Sequence, residues 1–322
     1  MKVAVLYGGS GSEAKHSLAY AKQAEEALAL AEHQVELVEL NTDAASTLQS
    51  LKPNRCLIAL PGKLGRSGRV QSWLDFLDIP YVGSTAEVCR LLSHKAELAP
   101  TIQRYRKQIG ESGSVWWPRG FCLSTETLQD FGGMDAVSQL AEDRIPGGFP
   151  LAVKPAHGAY GAGVSKVESA EDLPAAIEEA LAIDSEVLIE QWIEGVELSV
   201  AVLGNGWSAQ AFAPVEILRE TQVSSFSHED VSFQAPVRLE VLAGDETLAQ
   251  SVRSEIERAA LEAYLASGAQ GFGRVDVIWD GSQTRVIKVC TCPEITADSL
   301  FFASCQVAGL SIAGILDALI MN

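Results

Sequence analysis

Short apolar runs alternate with amphipathic stretches through the first third of the chain. Val3 to Tyr7 is an unbroken apolar run that stops at Gly8-Gly9 and predicts a buried strand. Ser17 to Ala31 carries helical spacing, and Gln34 to Leu40 and Cys56 to Leu60 predict two further strands. Strand, helix and strand in this order predict a parallel sheet. Val70 to Leu77 predicts a helix that ends before Pro80, and Tyr81-Val82-Gly83 a short strand and turn. Ala86 to Ile109 reads as one helical segment leaving this unit, which places a domain boundary near residue 93.

Beyond Trp116-Trp117-Pro118, a helix is expected before Asp143 and a strand over Leu151 to Pro155. The glycine-rich turn Gly158 to Gly163 joins that strand to Val164-Ser165-Lys166-Val167. Strand, glycine loop and strand make a hairpin flap, whereas a phosphate-binding P-loop would run from strand into helix. A helix from Asp172 to Leu181, strands at Val187 to Gln191 and Leu198 to Leu203, and a helix from about Leu248 to Ala266 follow. The last third closes with two strands around Asp276 and Lys288 and a helix at Ile312 to Ile320. The pattern divides the chain into an α/β first domain (1–93), a central flap-bearing lobe (94–186) and a third domain (187–322).

At 322 residues and 47% hydrophobic, the chain can bury a large core. A net charge of −18 argues against a nucleic-acid partner, because phosphate binding needs a basic patch. The first apolar run is too short for a signal peptide and has no small-residue cleavage site. No apolar run approaches the roughly 20 residues that would span a bilayer. A cytoplasmic protein without membrane insertion is expected. The six cysteines are scattered through apolar contexts and lack a secreted framework's dense spacing, so reduced, mostly buried thiols are expected. Cys290-Thr291-Cys292 supplies only two soft ligands, short of a zinc site.

The chemistry concentrates in Gly271-Phe272-Gly273-Arg274-Val275-Asp276 and, after a turn, Val286-Ile287-Lys288-Val289-Cys290. Adjacent strands ending in Asp and in Glu-x-Asn would give Mg²⁺ the oxygen ligands a small hard cation requires. Here Lys288 and Cys290 stand on the second strand, leaving Asp276 as the one metal carboxylate. An ammonium has no lone pair, and a thiol is a poor ligand for Mg²⁺.

Taken in order, these pieces resemble the ATP-grasp superfamily, and within it the D-alanine:D-alanine ligases, across nearly the whole chain. The carriers are Gly8-Gly9 with Glu13, Ile79 to Ser84, Lys154-Pro155 through Val167, Val187 to Glu190 with Glu197 to Gly204, Gly273 to Asp276, and Thr296 to Leu300. The resemblance implies an α/β ATP-grasp fold of three domains: a Rossmann-like first domain, the flap lobe and an ATP-grasp third domain. It also implies a link to peptidoglycan and the cell wall, a homodimer through the first domain, and ATP as cofactor. In the family ATP phosphorylates one D-alanine carboxylate, and the amine of a second attacks the acyl phosphate. Catalysis is then mostly positioning and charge neutralisation.

By this resemblance Lys95 and Lys154 contact phosphates, Glu190 and Trp192 belong to the hinge that receives adenine, and Glu197 accepts from ribose hydroxyls. Arg274 would neutralise the acyl phosphate, and Glu13 would orient an amino-acid ammonium. Without the resemblance, Glu190 and Glu197 read equally well as exposed charges at a strand edge. The substrate site departs from the family's pattern. Pro61 replaces a histidine, Arg66-Ser67 an acidic pair, Tyr160-Gly161 two serines, and Ser225-Phe226 a Lys-Tyr pair. Glu294 replaces a glycine whose amide helps hold an oxyanion.

Lys288 puts a positive charge where a dication would sit, at about 4 kcal/mol per unit-charge pair at ~4 Å and an effective dielectric of ~20. Such losses argue against Mg²⁺ binding and against ordinary ligase turnover. Two readings remain open. One is a pseudoenzyme kept for binding a small amino acid, a nucleotide or a protein partner in cell-wall synthesis. The other is a rewired ATP-dependent carboxylate-amine ligase, in which Lys288 stands in for one Mg²⁺ and Lys63 and Arg66 take an altered acid; residual D-alanyl-D-alanine synthesis belongs with this alternative.

Overall fold

The computed structural model of the protein describes residues 1–110, 117–130, 132, 134–158, 161–219, 237–241 and 250–322. Its first domain is built on β1 (Lys2–Tyr7), whose Val3 to Leu6 are fully buried. Helix α1 (Gly11–Leu30) follows, then β2 (Gln34–Glu39), α2 (Ala44–Leu51) and β3 (Arg55–Ile58). The sheet is parallel with order β2-β1-β3, as the βαβ pattern predicts. A single helical turn α3 (Lys63–Arg66) and α4 (Arg69–Phe76) lead on. Tyr81 makes only one bridge, to Cys56, where a short strand was expected.

The expected helix over 86–109 is two helices. Helix α5 (Ala86–Ser93), capped by Thr85, ends where His94 turns extended, and a 3-10 turn precedes α6 (Leu98–Ile109). Tertiary pairing overrides local propensity here: His94 bridges His157, and the Lys95 N–H donates to the Ala156 carbonyl.

The central sheet has order β4-β7-β5-β6, from β4 (Gly120–Ser124), β5 (Leu151–Pro155), β6 (Ser165–Val167) and β7 (Glu186–Gln191). Helices α7 (Thr125–Asp130), α8 (Met134–Arg144) and α9 (Leu173–Leu181) accompany it. Leu151 pairs with Val167 and Val153 with Ser165, so the flap is an antiparallel hairpin. β7 belongs to this sheet through antiparallel pairing with both β4 and β5.

The third sheet holds β8 (Val196–Leu203), β9 (Gln210–Ala211), β10 (Val215–Arg219), β11 (Val237–Val241), β12 (Phe272–Trp279) and β13 (Thr284–Cys290). Helix α10 (Gln250–Ala266) lies on it, and Tyr264 explains the glycine in Gly273-Arg274: a Cβ at 273 would approach the Tyr264 ring to 2.7 Å. Helices α11 (Leu300–Gln306) and α12 (Ile312–Met321) complete the chain, capped by Ser299 and Ser311. The apolar face of α12, with Ile315, Leu316, Leu319 and Ile320, is packed in one cluster with Val3, Tyr20, Ala24 and Leu28 of the first domain. Among the described residues, no helix is long and apolar enough to cross a membrane.

Candidate functional site

β12 and β13 bring the central quartet together. Asp276 stands across from Lys288 and Arg274 across from Cys290. Residues two apart share a face of a strand, so all four point the same way. Arg274 clasps Asp276 in a fork, Nε to Oδ1 and Nη2 to Oδ2, each at 2.8 Å, and Ser199 Oγ donates to Oδ1 at 2.9 Å. Burial acts to raise the Asp276 pKa, but Arg274, Lys288 and Ser199 outweigh it and hold the carboxyl below its ordinary value. The carboxylate is ionised, yet its charge is already answered by a guanidinium.

Burial, and after it the Arg66 charge, push the Lys288 ammonium down to about 8. An octahedral Mg²⁺ takes hard oxygen donors. The candidate set here is one engaged carboxylate, an ammonium and the buried Cys290 thiol, with a second cation in the fork. These residues do not fit the ion.

A narrow cavity of about 50 Å³ opens beside the quartet, lined in part by Lys63, Arg66, Lys95, His157, Lys288 and Cys290. Small-molecule sites are typically about 300–1,000 Å³, so a nucleotide would enter only with movement of the lining. Lys95 donates from Nζ to the Pro155 carbonyl at 2.7 Å. Burial, then the nearby Lys288 and Lys154 charges, bring its pKa well below the ordinary lysine value. Lys154 is buried and paired at 2.5 Å with Glu190, also buried, so Glu190 is not the exposed edge charge that the sequence alone allows. Trp192 Nε1 donates to Glu194, and Lys166 lies over the indole ring at 5.5 Å. Glu197 is half-buried on β8, across from Ile278 of β12.

In the first domain, the Glu13 carboxylate lies against the buried loop Pro61-Gly62, where a Cβ on Gly62 would overlap it. Glu294 has a partner that the sequence reading missed: His16 Nε2 at 2.6 Å. Residues 13 and 16 are three apart on α1 and therefore face the same way, the one local signal that could have found it. The hydrogen bond to Glu294 raises the His16 pKa against the opposing effect of burial. Raised above its unfolded value, His16 adds stability that is fully present below the unfolded pKa and is lost as pH rises through the folded one. Replacing Glu294→Gln should return the His16 imidazole titration to lower pH in an NMR series; an unchanged midpoint would show that Glu294 does not set it. Tyr160, Ser225 and Phe226 lie outside the described residues.

The family model described as D-ala D-ala ligase C-terminus matches residues 133–321. A D-alanine–D-alanine ligase of Halalkalibacterium halodurans is 30% identical over 97% of this chain and 95% of its own length. One of Bordetella pertussis is 33% identical over 99% and 94%. Among solved structures, the D-alanine–D-alanine ligase of Bacillus anthracis complexed with ATP superposes with a TM-score of 0.77 at 25% identity, covering 100% of this chain and 96% of its own. The VanG D-Ala:D-Ser ligase of Enterococcus faecalis has a TM-score of 0.82 at 21% identity over 99% and 98% of the two chains, a likeness of fold alone.

Proposed function

The chain belongs to the D-alanine:D-alanine ligase family, with its ATP-grasp fold, and from that premise we propose that it binds a nucleotide without Mg²⁺ and has lost D-alanyl-D-alanine synthesis. The observation that carries this is the Asp276 carboxylate, clasped by Arg274 and faced across the strand pair by Lys288. A phosphoryl-transfer site loses several kcal/mol of transition-state stabilisation without its metal, and each ~1.4 kcal/mol is tenfold in rate. Lys95, Lys154 and Lys288 would hold the phosphates, the segment Glu190 to Trp192 the adenine, and Glu197 the ribose. ATP supplies a transferable phosphoryl group in such a site. In this chain the cations serve to bind and orient it. The homodimer and a cell-wall partner belong to the same reading.

ATP binding is expected to be equal in EDTA and in Mg²⁺, and ADP release to stay flat with D-alanine and with a panel of amino and hydroxy acids. An Arg274→Ala preparation made in parallel gives the background. Affinity for ATP should fall as pH rises through about 8, because Lys288 then loses its proton and with it the charge that attracts phosphate. Acceptor-dependent ADP release would overturn the proposal. The presence of Lys63, Arg66 and Lys288 around one cavity favours a second reading, a rewired ligase for an acid bearing an extra carboxylate. Dicarboxylic acids in the same assay separate the two.

A further inference from the structure

We infer that His94, His157 and Glu186, supported by Asp184, form a site for a borderline divalent ion such as Zn²⁺ where the first domain meets the root of the flap. This goes beyond the ligase-derived site, although His157 also borders the cavity beside Lys95. Three separate segments converge there. His94 sits at the break between α5 and the 3-10 turn, His157 lies two residues beyond β5, and Glu186 begins β7. His94 and His157 bridge through their backbones and place their rings edge to face, with centroids 4.7 Å apart. One nitrogen of each imidazole and one Glu186 oxygen all lie within 4.8 Å of one another.

The surroundings prepare both rings as ligands. Asp184 Oδ2 accepts from the His157 backbone N–H at 2.7 Å and lies 2.9 Å from its Nδ1. A neutral imidazole donating through Nδ1 keeps its lone pair on Nε2, the arrangement by which a carboxylate orients a metal-binding histidine. His94 Nε2 lies 2.9 Å from Glu186 Oε2, while its Nδ1 is buried with no hydrogen-bond partner among the described residues.

Two imidazole nitrogens and a carboxylate oxygen suit Zn²⁺, with water as a fourth ligand. A tetrahedral zinc site spaces its ligand atoms about 3.3 Å apart, so the widest gap among the three must close by up to roughly 1.5 Å. Side chains that are 19%, 33% and 38% exposed have room to do so. Bound there, the ion would pin the segment leading to Lys95 against the strand end that opens into the flap.

The test uses the full chain, stripped with EDTA, dialysed and titrated with Zn²⁺ alone by calorimetry and with Co²⁺ alone by absorption. One equivalent should bind, and the cobalt spectrum should lack thiolate charge transfer, which separates this site from the six cysteines. His94→Ala and His157→Gln should each weaken affinity by more than about tenfold, and Asp184→Asn, which only orients His157, by about tenfold with the same spectrum. Circular dichroism checks each fold, and His157→Gln, which keeps a donor toward Asp184, carries the test if His94→Ala does not fold. No stoichiometric binding, a thiolate band, or unchanged affinity in the folded variants would overturn the site and leave two separate histidine-carboxylate pairs.

Discussion

Lys288→Glu combined with Cys290→Asn should make nucleotide binding depend on Mg²⁺, raising ATP affinity about 30-fold when the ion is added, where the unaltered protein shows no change. The double change places a carboxylate directly across from Asp276 and an amide oxygen across from Arg274, on the face that the quartet already shares. The charge at position 288 moves by two units. About 4 kcal/mol per unit-charge pair at close range is an upper figure for partly exposed side chains. Half of it, about 2 kcal/mol, is the 30-fold expected here. Without metal, the new carboxylate repels Asp276, so melting temperature should fall in EDTA and recover with Mg²⁺ and ATP. Equilibrium binding with and without Mg²⁺ reads the outcome. If the variant binds ATP but ignores the ion, Arg274 rather than Lys288 is what bars the metal.

Arg274→Met should be the most destabilising single change in this region, at about 3 kcal/mol in urea unfolding at pH 7. Breaking a buried ion pair from one side costs about 3–5 kcal/mol because the other charge is left uncompensated. The lower end applies because the two side chains are 18% and 20% exposed. The pH dependence has a definite sign. Asp276, held below its ordinary pKa, contributes stability that is present above the unfolded value and is lost as pH falls through the folded one. In the variant its carboxyl titrates higher, so protonation relieves the penalty sooner. The stability gap between the two proteins should therefore be widest near neutrality and shrink on acidification. A gap under about 1 kcal/mol, or one that does not move with pH, would mean that the fork is an incidental surface contact.

The elements that the sequence made legible are those whose pattern is local. β1 shows as an unbroken apolar run, the flap as two short strands around glycines, and β12 and β13 as paired runs separated by a turn. The break at His94 was hidden because helical spacing continues on both sides of it, and its cause lies 63 residues away in His157. Lys154 and Glu190, 36 residues apart, also meet only through sheet pairing, so the buried ion pair between them was not legible from their separate positions in the sequence. Arg274 and Asp276 are the contrary case. Residues two apart on a strand share a face, so their pairing was available from the spacing. The family's pattern instead drew each toward a separate role, acyl phosphate for one and metal for the other. α11 went unforeseen although its cap, Ser299, stood among the quoted residues: the serine accepts from the Phe302 N–H, so part of the Thr296 to Ser299 motif is helix initiation.

The packing of α12 against α1 sets an order of events during synthesis. The ribosome makes the βαβ unit first, and α1 can pack on β1 and β2 at once, but the part of its apolar face that meets α12 lacks that cover until residues 312–321 emerge. At roughly 5–20 residues per second, that interval is on the order of 15 to 60 s. Until then Tyr20, Ala24 and Leu28 lack part of the apolar neighbourhood they have in the folded protein, so the docking of α12 completes the first domain's core and comes late.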